Sequence, residues 1–203
     1  MQIAPVCIRI VDDDPAIRKL LAIFVESFRY SSRAYTSAEH FMSEDQLSDP
    51  GCVLIDVVMP GINGAVLVEW LNRHSDPLPT IVVTGCGSVE SAVLCMKCGA
   101  TDFLEKPIDR TTLLDKIRGA VMLDANQRVL RQRLAVLRQR YATLSPREQQ
   151  VAQYLAEGLS TKQIAGKLGL ASKTVEHHRA RVMKKMHAES LAEIVRALVT
   201  LGR

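Results

Sequence analysis

The sequence predicts an α/β domain on a five-stranded, parallel, doubly wound sheet. A long linker helix and an all-α domain of four helices follow it. Three observations carry this reading. Up to Met122, short continuous apolar runs alternate with amphipathic segments. From Leu113 to Ala142 there is no proline, and Gly119 is the one glycine. From Thr143 onward the strand pattern disappears, and serine-led helix starts alternate with glycine stops.

Taken in order, the strand candidates are Cys7–Val11, Cys52–Asp56, Thr80–Thr84 and Asp102–Leu104, with a weaker one at Ser32–Tyr35. Runs such as CVLI and TIVV lack the alternation of a half-wet strand, so they suit a parallel sheet covered on both faces. Helical patterns lie between them at Ala16–Ser27, Ser37–Met42, Ala65–His74 and Val89–Cys98, and a fifth helix starts near Thr111. Strand–helix alternation of this kind argues for a doubly wound domain.

In the linker helix, Leu123, Leu130, Leu134, Leu137 and Tyr141 recur at spacings of three, four or seven. That stripe fits a coiled-coil seam between two chains and fits packing onto its own domains equally well. Beyond it, Ser145-Pro-Arg-Glu148 and Ser160-Thr-Lys-Gln163 are capping boxes. The helices they open stop at Gly158 and Gly169. Ser172 is expected to cap a third helix, KTVEHHRARVMKKM, and a fourth covers Leu191–Leu201. The second and third have helix-turn-helix spacing. The resulting division is 1–122, 123–142 and 143–203.

Charge divides along the same line. Residues 1–122 carry 11 Lys+Arg against 16 Asp+Glu, and residues 123–203 carry 15 against 6. An acidic half joined to a basic half points to two tasks, with nucleic acid as a partner of the second. No apolar run reaches the length of a bilayer span, and no signal peptide stands at the start, so a cytoplasmic protein without membrane contact is expected. The cysteines Cys7, Cys52, Cys86, Cys95 and Cys98 are odd in number and scattered, unlike a disulfide framework. Cys95 and Cys98 share a helix face without nearby Cys or His to complete a zinc site, so they read as small buried side chains.

Ligands of open parallel sheets gather outside the carboxyl ends of the strands. Here those ends carry Asp12-Asp13-Asp14, Asp56, Thr84-Gly85 and Glu105-Lys106-Pro107. Clustered carboxylates repel one another unless a cation sits among them. A set of oxygen ligands with room for water suits Mg²⁺, which attracts phosphoryl oxygens. Asp56 then becomes a nucleophile able to form an aspartyl-phosphate. Thr84 supplies a hydroxyl for a phosphoryl oxygen, and Lys106 a point charge. Asp14 is expected to cap the following helix rather than bind metal.

The ordered set VDDD, LIDVVMPG, VVTG and FLEKP resembles the receiver domain of bacterial two-component response regulators over roughly residues 5–122. The resemblance implies Asp56 as phosphoacceptor, with Asp13, Asp56 and the Val58 carbonyl on Mg²⁺ and Asp12 acting through water. It implies Thr84 and Lys106 as the switch hydroxyl and lysine, a cis Lys106–Pro107 peptide, and Phe103 as the aromatic that turns inward behind Thr84. It also implies a sensor histidine kinase as phosphoryl source and a homodimer after phosphorylation. Two departures stand out: Val66 occupies a position where the family often has an acid, and SSRAYT is a poor strand.

The segment SPREQQVAQYLAEGLSTKQIAGKLGLASKTVEHHRARVMKKM resembles the LuxR-type helix-turn-helix effector of the NarL/FixJ family, and both halves together resemble its FixJ-like branch. Leu155, Ile164, Ala165, Leu168, Val175, Val182 and Met186 have core spacing. Lys173, Thr174, His177, His178, Arg181, Lys184 and Lys185 fall largely on other faces of the third helix. Its first turns suit base contacts in a major groove, and Lys184 and Lys185 suit phosphates. Lys162 and Ser172 are expected near the DNA backbone, and Glu176 in a local salt bridge. Adjacent histidines do not share a helix face, which argues against a metal at His177-His178.

The expected function is phosphorylation-controlled binding to double-stranded promoter DNA, activating transcription with RNA polymerase as a further partner. Two alternatives are weighed against it. A magnesium phosphatase with an aspartyl nucleophile needs a second acid two residues on, where Val58 stands, and leaves the basic half unexplained; no stand-alone enzyme is expected. A phosphorylation-independent regulator, using the first domain only as an interaction module, leaves the complete acidic pocket unexplained.

Overall fold

The computed structural model describes residues 5–85 and 89–203, with residues 89–92 described in backbone alone. Cys86 lies outside the described residues. The elements run β1 (Cys7–Val11), α1 (Pro15–Ser27), β2 (Ser31–Tyr35), α2 (Ala38–Glu44), β3 (Gly51–Asp56), α3 (Gly64–Asn72), β4 (Thr80–Thr84), α4 (Val89–Lys97) and β5 (Asp102–Glu105). They continue as α5 (Arg110–Ala142), α6 (Pro146–Ala156), α7 (Thr161–Leu168), α8 (Ser172–Met186) and α9 (Leu191–Thr200). The chain divides into two compact units, Met1–Arg128 and Val129–Arg203, and the division falls inside α5. Among the described residues no helix is long and apolar enough to cross a membrane.

In the first unit all strand pairs are parallel, in the order β2-β1-β3-β4-β5. Side chains alternate across a strand, so β3 splits its residues between two cores. Val53 and Ile55 join Phe41, Leu67, Val68 and Leu71 on one face. Cys52 and Leu54 join Ile8, Ile10, Leu21, Leu113 and Ile117 on the other. Helices therefore cover both faces, as the uninterrupted apolar runs require. The two edge strands are less covered: Tyr35 alone is buried in β2, and Leu104 alone in β5.

The local starts are set by side chains. Asp14 Oδ1 accepts the Ala16 N–H at 2.7 Å, so Asp14 is the cap that its position suggested. Ser145 with Glu148, and Ser160 with Gln163, form reciprocal capping boxes. Gly169 ends α7 in the left-handed region. The expected cap at Ser172 is not formed. Ala171 occupies that position without a side-chain bond, and Ser172 is the first residue of α8. The turn after Gly169 is short enough that Leu170 N–H bonds back to Ala165 O, and the helix begins one residue earlier than the serine suggested.

The second unit closes on two apolar clusters. Leu144, Ala152, Val182, Met186, Ile194 and Leu198 form one. Val151, Leu155, Ile164, Ala165 and Val175 form the other. Tyr141, at the end of α5, packs against the first of these. Earlier in α5, Leu123, Val129, Leu130 and Val136 are exposed.

Candidate functional site

The acidic site lies where β1 and β3 meet, at the point where strand order reverses, and such crevices receive ligands in sheets of this class. β1 runs into Asp12, β3 ends on Asp56, β4 on Thr84 and β5 on Glu105, so chain direction alone brings these residues to one edge. Asp12, Asp13 and Asp56 each present a carboxylate oxygen within 4.8 Å of the others. Asp12 and Asp56 are buried, and Asp13 is exposed. The Lys106 ammonium stands 3.2 Å from Asp12 Oδ2 and 3.2 Å from Asp56 Oδ2.

Electrostatics follow from burial and proximity. Burial pushes the Asp12 carboxyl above its ordinary range; the Asp56 charge adds to this, while the Asp14 N–H and Lys106 oppose it. Burial alone would lower Lys106, but the two carboxylates outweigh it and hold the ammonium charged. The Asp14 N–H donates to Asp12 Oδ1 at 2.8 Å, and Arg18 donates to the Asp12 carbonyl at 2.7 Å. These bonds fix the turn that presents Asp13. Thr84 Oγ1 donates to Gly85 O at 3.3 Å. Lys106 N–H donates to Thr84 O at 2.7 Å, which keeps the β5 end beside β4. The Lys106–Pro107 peptide is cis. A Cβ built on Gly85 would meet nothing within 4 Å among the described residues.

Among the described residues the donor set fits a hard divalent cation: three carboxylates within reach of one ion, without sulfur or imidazole in the group, and with one exposed member. Phe103, on β5, is 46% exposed, so its ring points outward rather than into the core.

Comparison with known proteins agrees with this fold. Residues 8–118 match the response regulator receiver domain, and residues 142–198 match the bacterial regulatory proteins of the luxR family. The chain is 41% identical over 195 residues to the transcriptional regulatory protein FixJ of Azorhizobium caulinodans, covering 96% of this chain and 92% of that one. This chain belongs to the two-component response regulators with a LuxR-type DNA-binding domain. It is also 38% identical over 193 residues to nodulation protein W of Bradyrhizobium diazoefficiens, covering 95% of this chain and 85% of that protein. Among solved structures, response regulator StyR superposes with a TM-score of 0.84 at 36% identity, covering 97% of this chain and 99% of that one. Full-length FixJ from B. japonicum gives 0.59 at 37% identity, with 97% of each chain covered.

In the LuxR-type domain, α8 buries Val175, Val182 and Met186 and turns the opposite side to solvent. Lys173, Thr174, His177, Arg181 and Lys184 are exposed on that helix, as are Ser172 and, from α7, Lys162. His178 and Lys185 are seven residues apart and sit on the flank of the same face, where both are half-buried. Flank position has a consequence for Lys185. Its ammonium lies 2.6 Å from Glu148 Oε2 and donates to Thr143 O at 2.9 Å, so it is engaged inside the domain. Sequence reasoning saw Glu148 as a capping residue and missed this pair, because its members are 37 residues apart. Glu176 is exposed, and among the described residues the local salt bridge expected for it is absent.

Proposed function

We propose that Asp56 accepts a phosphoryl group and that this event controls DNA binding by the second unit. The observation that carries the reading is the Lys106 ammonium spanning Asp12 and Asp56, with Asp13 within ligand reach of both. Asp13, Asp56 and the Val58 carbonyl would hold Mg²⁺, with Asp12 acting through water. When bound there, Mg²⁺ neutralises charge on the incoming phosphoryl group. An Asp56 carboxylate oxygen attacks the phosphorus of a phosphohistidine on the sensor kinase. The O–P bond forms, the N–P bond breaks, and the imidazole nitrogen leaves with the electron pair and takes a proton. Lys106 holds one phosphoryl oxygen as a point charge, and Thr84 donates its hydroxyl to another.

Movement of Thr84 toward the phosphoryl group empties space behind it, and Phe103 rotates inward to fill that space. The face around α4, β5 and α5 changes shape, and two copies pair through it. In the division 1–122, 123–142 and 143–203, the receiver then frees the DNA reader through the linker helix. Lys173, Thr174, His177, His178 and Arg181 face base edges from the start of α8, and Lys162, Ser172 and Lys184 face the DNA backbone. We assign Lys185 to the seat of α8 on Glu148 rather than to a phosphate. The setting is the cytoplasm, and the outcome is activation of transcription with RNA polymerase.

The test is incubation of the full chain with Mg²⁺ and acetyl phosphate, with Asp56→Asn beside it. The expected result is a mass gain of one phosphoryl group that Asp56→Asn abolishes, together with a shift to dimer. A mass gain without the dimer shift removes dimerisation and keeps the acceptor. No gain with any phosphodonor, while DNA binding persists, replaces this reading with phosphate-independent control.

A further inference from the structure

The seven residues from Val57 to Asn63 connect β3 to α3, and they carry the Val58 carbonyl two residues after the phosphoacceptor. At its root this loop is closed tightly. Val57 N–H donates to Val83 O at 3.1 Å, and Gly64 N–H donates to Val57 O at 3.0 Å. A Cβ on Gly64 would lie 2.4 Å from Asp56 O, so the chain returns directly over the acceptor's own backbone. Val57 and Met59 are buried, and Val58 between them is 70% exposed. The position of the Val58 carbonyl therefore depends on what fixes the loop beyond Met59.

Beyond Met59, Asn63 caps α3 by accepting the Val66 N–H at 3.0 Å, and a second tie comes from a different element. Glu39, in the first turn of α2, accepts the Ile62 N–H through Oε1 at 2.8 Å. Gly61 makes this approach possible in two ways. Its φ of +76° is a left-handed conformation that glycine adopts without strain. A Cβ at Gly61 would also stand 2.5 Å from Glu39 Oε1, so the carboxylate could not keep this position against a larger residue. The carboxylate is itself oriented, by its own backbone N–H first, then by Ile62 N–H and the Ser37 side chain, and these hold it below the usual carboxylate range.

We propose that Glu39 is a positioning residue for the metal and phosphoryl site: it anchors the tip of the β3–α3 loop through Ile62 and thereby sets the Val58 carbonyl beside Asp56. Glu39 touches neither metal nor phosphate. Its contribution is one charge-assisted hydrogen bond that orders the loop before a ligand arrives. The inference rests on the reading of Asp13, Asp56 and Val58 as a Mg²⁺ site.

Mg²⁺ binding to the full-length protein, followed by calorimetric titration in the absence of any phosphodonor, tests it. Glu39→Ala is expected to weaken Mg²⁺ binding about 2–10-fold, the range set by loss of one such bond. It is also expected to speed amide exchange at Ile62. Glu39→Gln keeps an acceptor oxygen and stays within about twofold of wild type. Gly61→Ala pushes the flexible end of Glu39 away from Ile62 and strains the left-handed turn, giving a loss of the same sign as Glu39→Ala. Wild-type affinity in Glu39→Ala overturns the inference, as does a Glu39→Gln protein as weak as Glu39→Ala. Absence of Mg²⁺ binding by the wild type itself, matched by Asp13→Asn, overturns the metal reading and this inference with it.

Discussion

Lys116 and Phe103 face each other on the receiver domain, with the ammonium 5.6 Å from the ring centroid. The same ammonium meets Asp102 Oδ1 at 2.6 Å, and that oxygen also accepts the Phe103 N–H at 2.8 Å. One carboxylate thus fixes both the backbone of Phe103 and the cation over its ring. An exposed cation–π contact contributes about 0.5–1 kcal/mol. If inward rotation of Phe103 accompanies phosphorylation, Lys116→Met should speed acetyl-phosphate labelling of Asp56 by roughly 2–5-fold, the equivalent of that energy. Lys116→Arg should stay near the wild-type rate. Equal labelling rates in Lys116→Met and wild type would separate the ring from the switch.

Glu148 ties the start of α6 to α8 and makes a pH prediction. It accepts Ser145 N–H at 2.8 Å and the Lys185 ammonium at 2.6 Å, and its carboxyl is held at about 2, first by the Lys185 bond and then by Ser145 N–H. An unfolded glutamate titrates near 4.5. The folded value is depressed, so the stabilisation is complete above 4.5 and is lost as pH falls from 4.5 toward 2. Glu148→Ala should lower stability by about 1–3 kcal/mol near neutrality, since it removes a cap and leaves Lys185 without its carboxylate. The deficit should shrink in calorimetric scans at pH 3. Lys185→Met should leave the salt dependence of DNA binding unchanged, whereas loss of a phosphate contact would reduce the slope of log K against log salt by about 1.

The acid site was legible because each member ends a strand, and strand direction in a parallel sheet decides where such ends go. Asp12, Asp56, Thr84 and Lys106 needed only the order of the strands to be brought together. The central strands were legible because burial on both faces writes itself as an apolar run, whereas β2 was weak because this edge strand keeps Ser31, Arg33 and Ala34 exposed. Pairs between elements left no local trace. Arg9 with Asp45, Glu39 with Ile62, and Asp124 with Gly51 are separated by 36, 23 and 73 residues. The signal that did exist was the residue type: Arg9 interrupts an otherwise apolar strand, CIRIV, and an arginine there demands a buried acid.

Asp124 shows how α5 is fastened to the receiver. Its carboxylate is buried, accepts Gly51 N–H at 2.9 Å, and meets Arg128 Nε through both oxygens, at 2.9 and 2.8 Å. Arg128 in turn donates to the carbonyls of Ser48 and Asp49 at 3.0 and 3.1 Å. Asp124→Ala leaves a buried N–H at the start of β3 unpaired, which costs about 1–3 kcal/mol. Urea unfolding should show that loss, and amide exchange should rise at Gly51. Arg128→Met keeps the Gly51 bond and should cost less. An Asp124→Ala protein with wild-type stability would remove the fastening.

Arg9 and Asp45 form an ion pair whose side chains are both fully buried, with Nε 2.9 Å from Oδ2. Burial alone would raise the Asp45 carboxyl, but the Tyr35 hydroxyl at 2.6 Å, the Leu47 N–H at 2.7 Å and Arg9 outweigh it and hold it below the ordinary value. The pair's contribution is therefore present near neutrality and declines as acid protonates Asp45. Arg9 also donates to Cys7 O at 3.1 Å, while its Nη2 finds no hydrogen-bond partner among the described residues. This incomplete satisfaction decides what substitution does. Asp45→Ala strands a guanidinium inside the sheet and should cost about 3–5 kcal/mol. Arg9→Met with Asp45→Leu removes both charges together, and replacing a buried pair by apolar side chains is often neutral or stabilising by about 1–4 kcal/mol. The double variant still leaves the Tyr35 hydroxyl and the Leu47 N–H without their acceptor, so it should unfold at a urea midpoint below wild type but well above that of Asp45→Ala. A double variant as unstable as the single one would mean that the pair contributes net stability rather than only guarding against an unpaired charge.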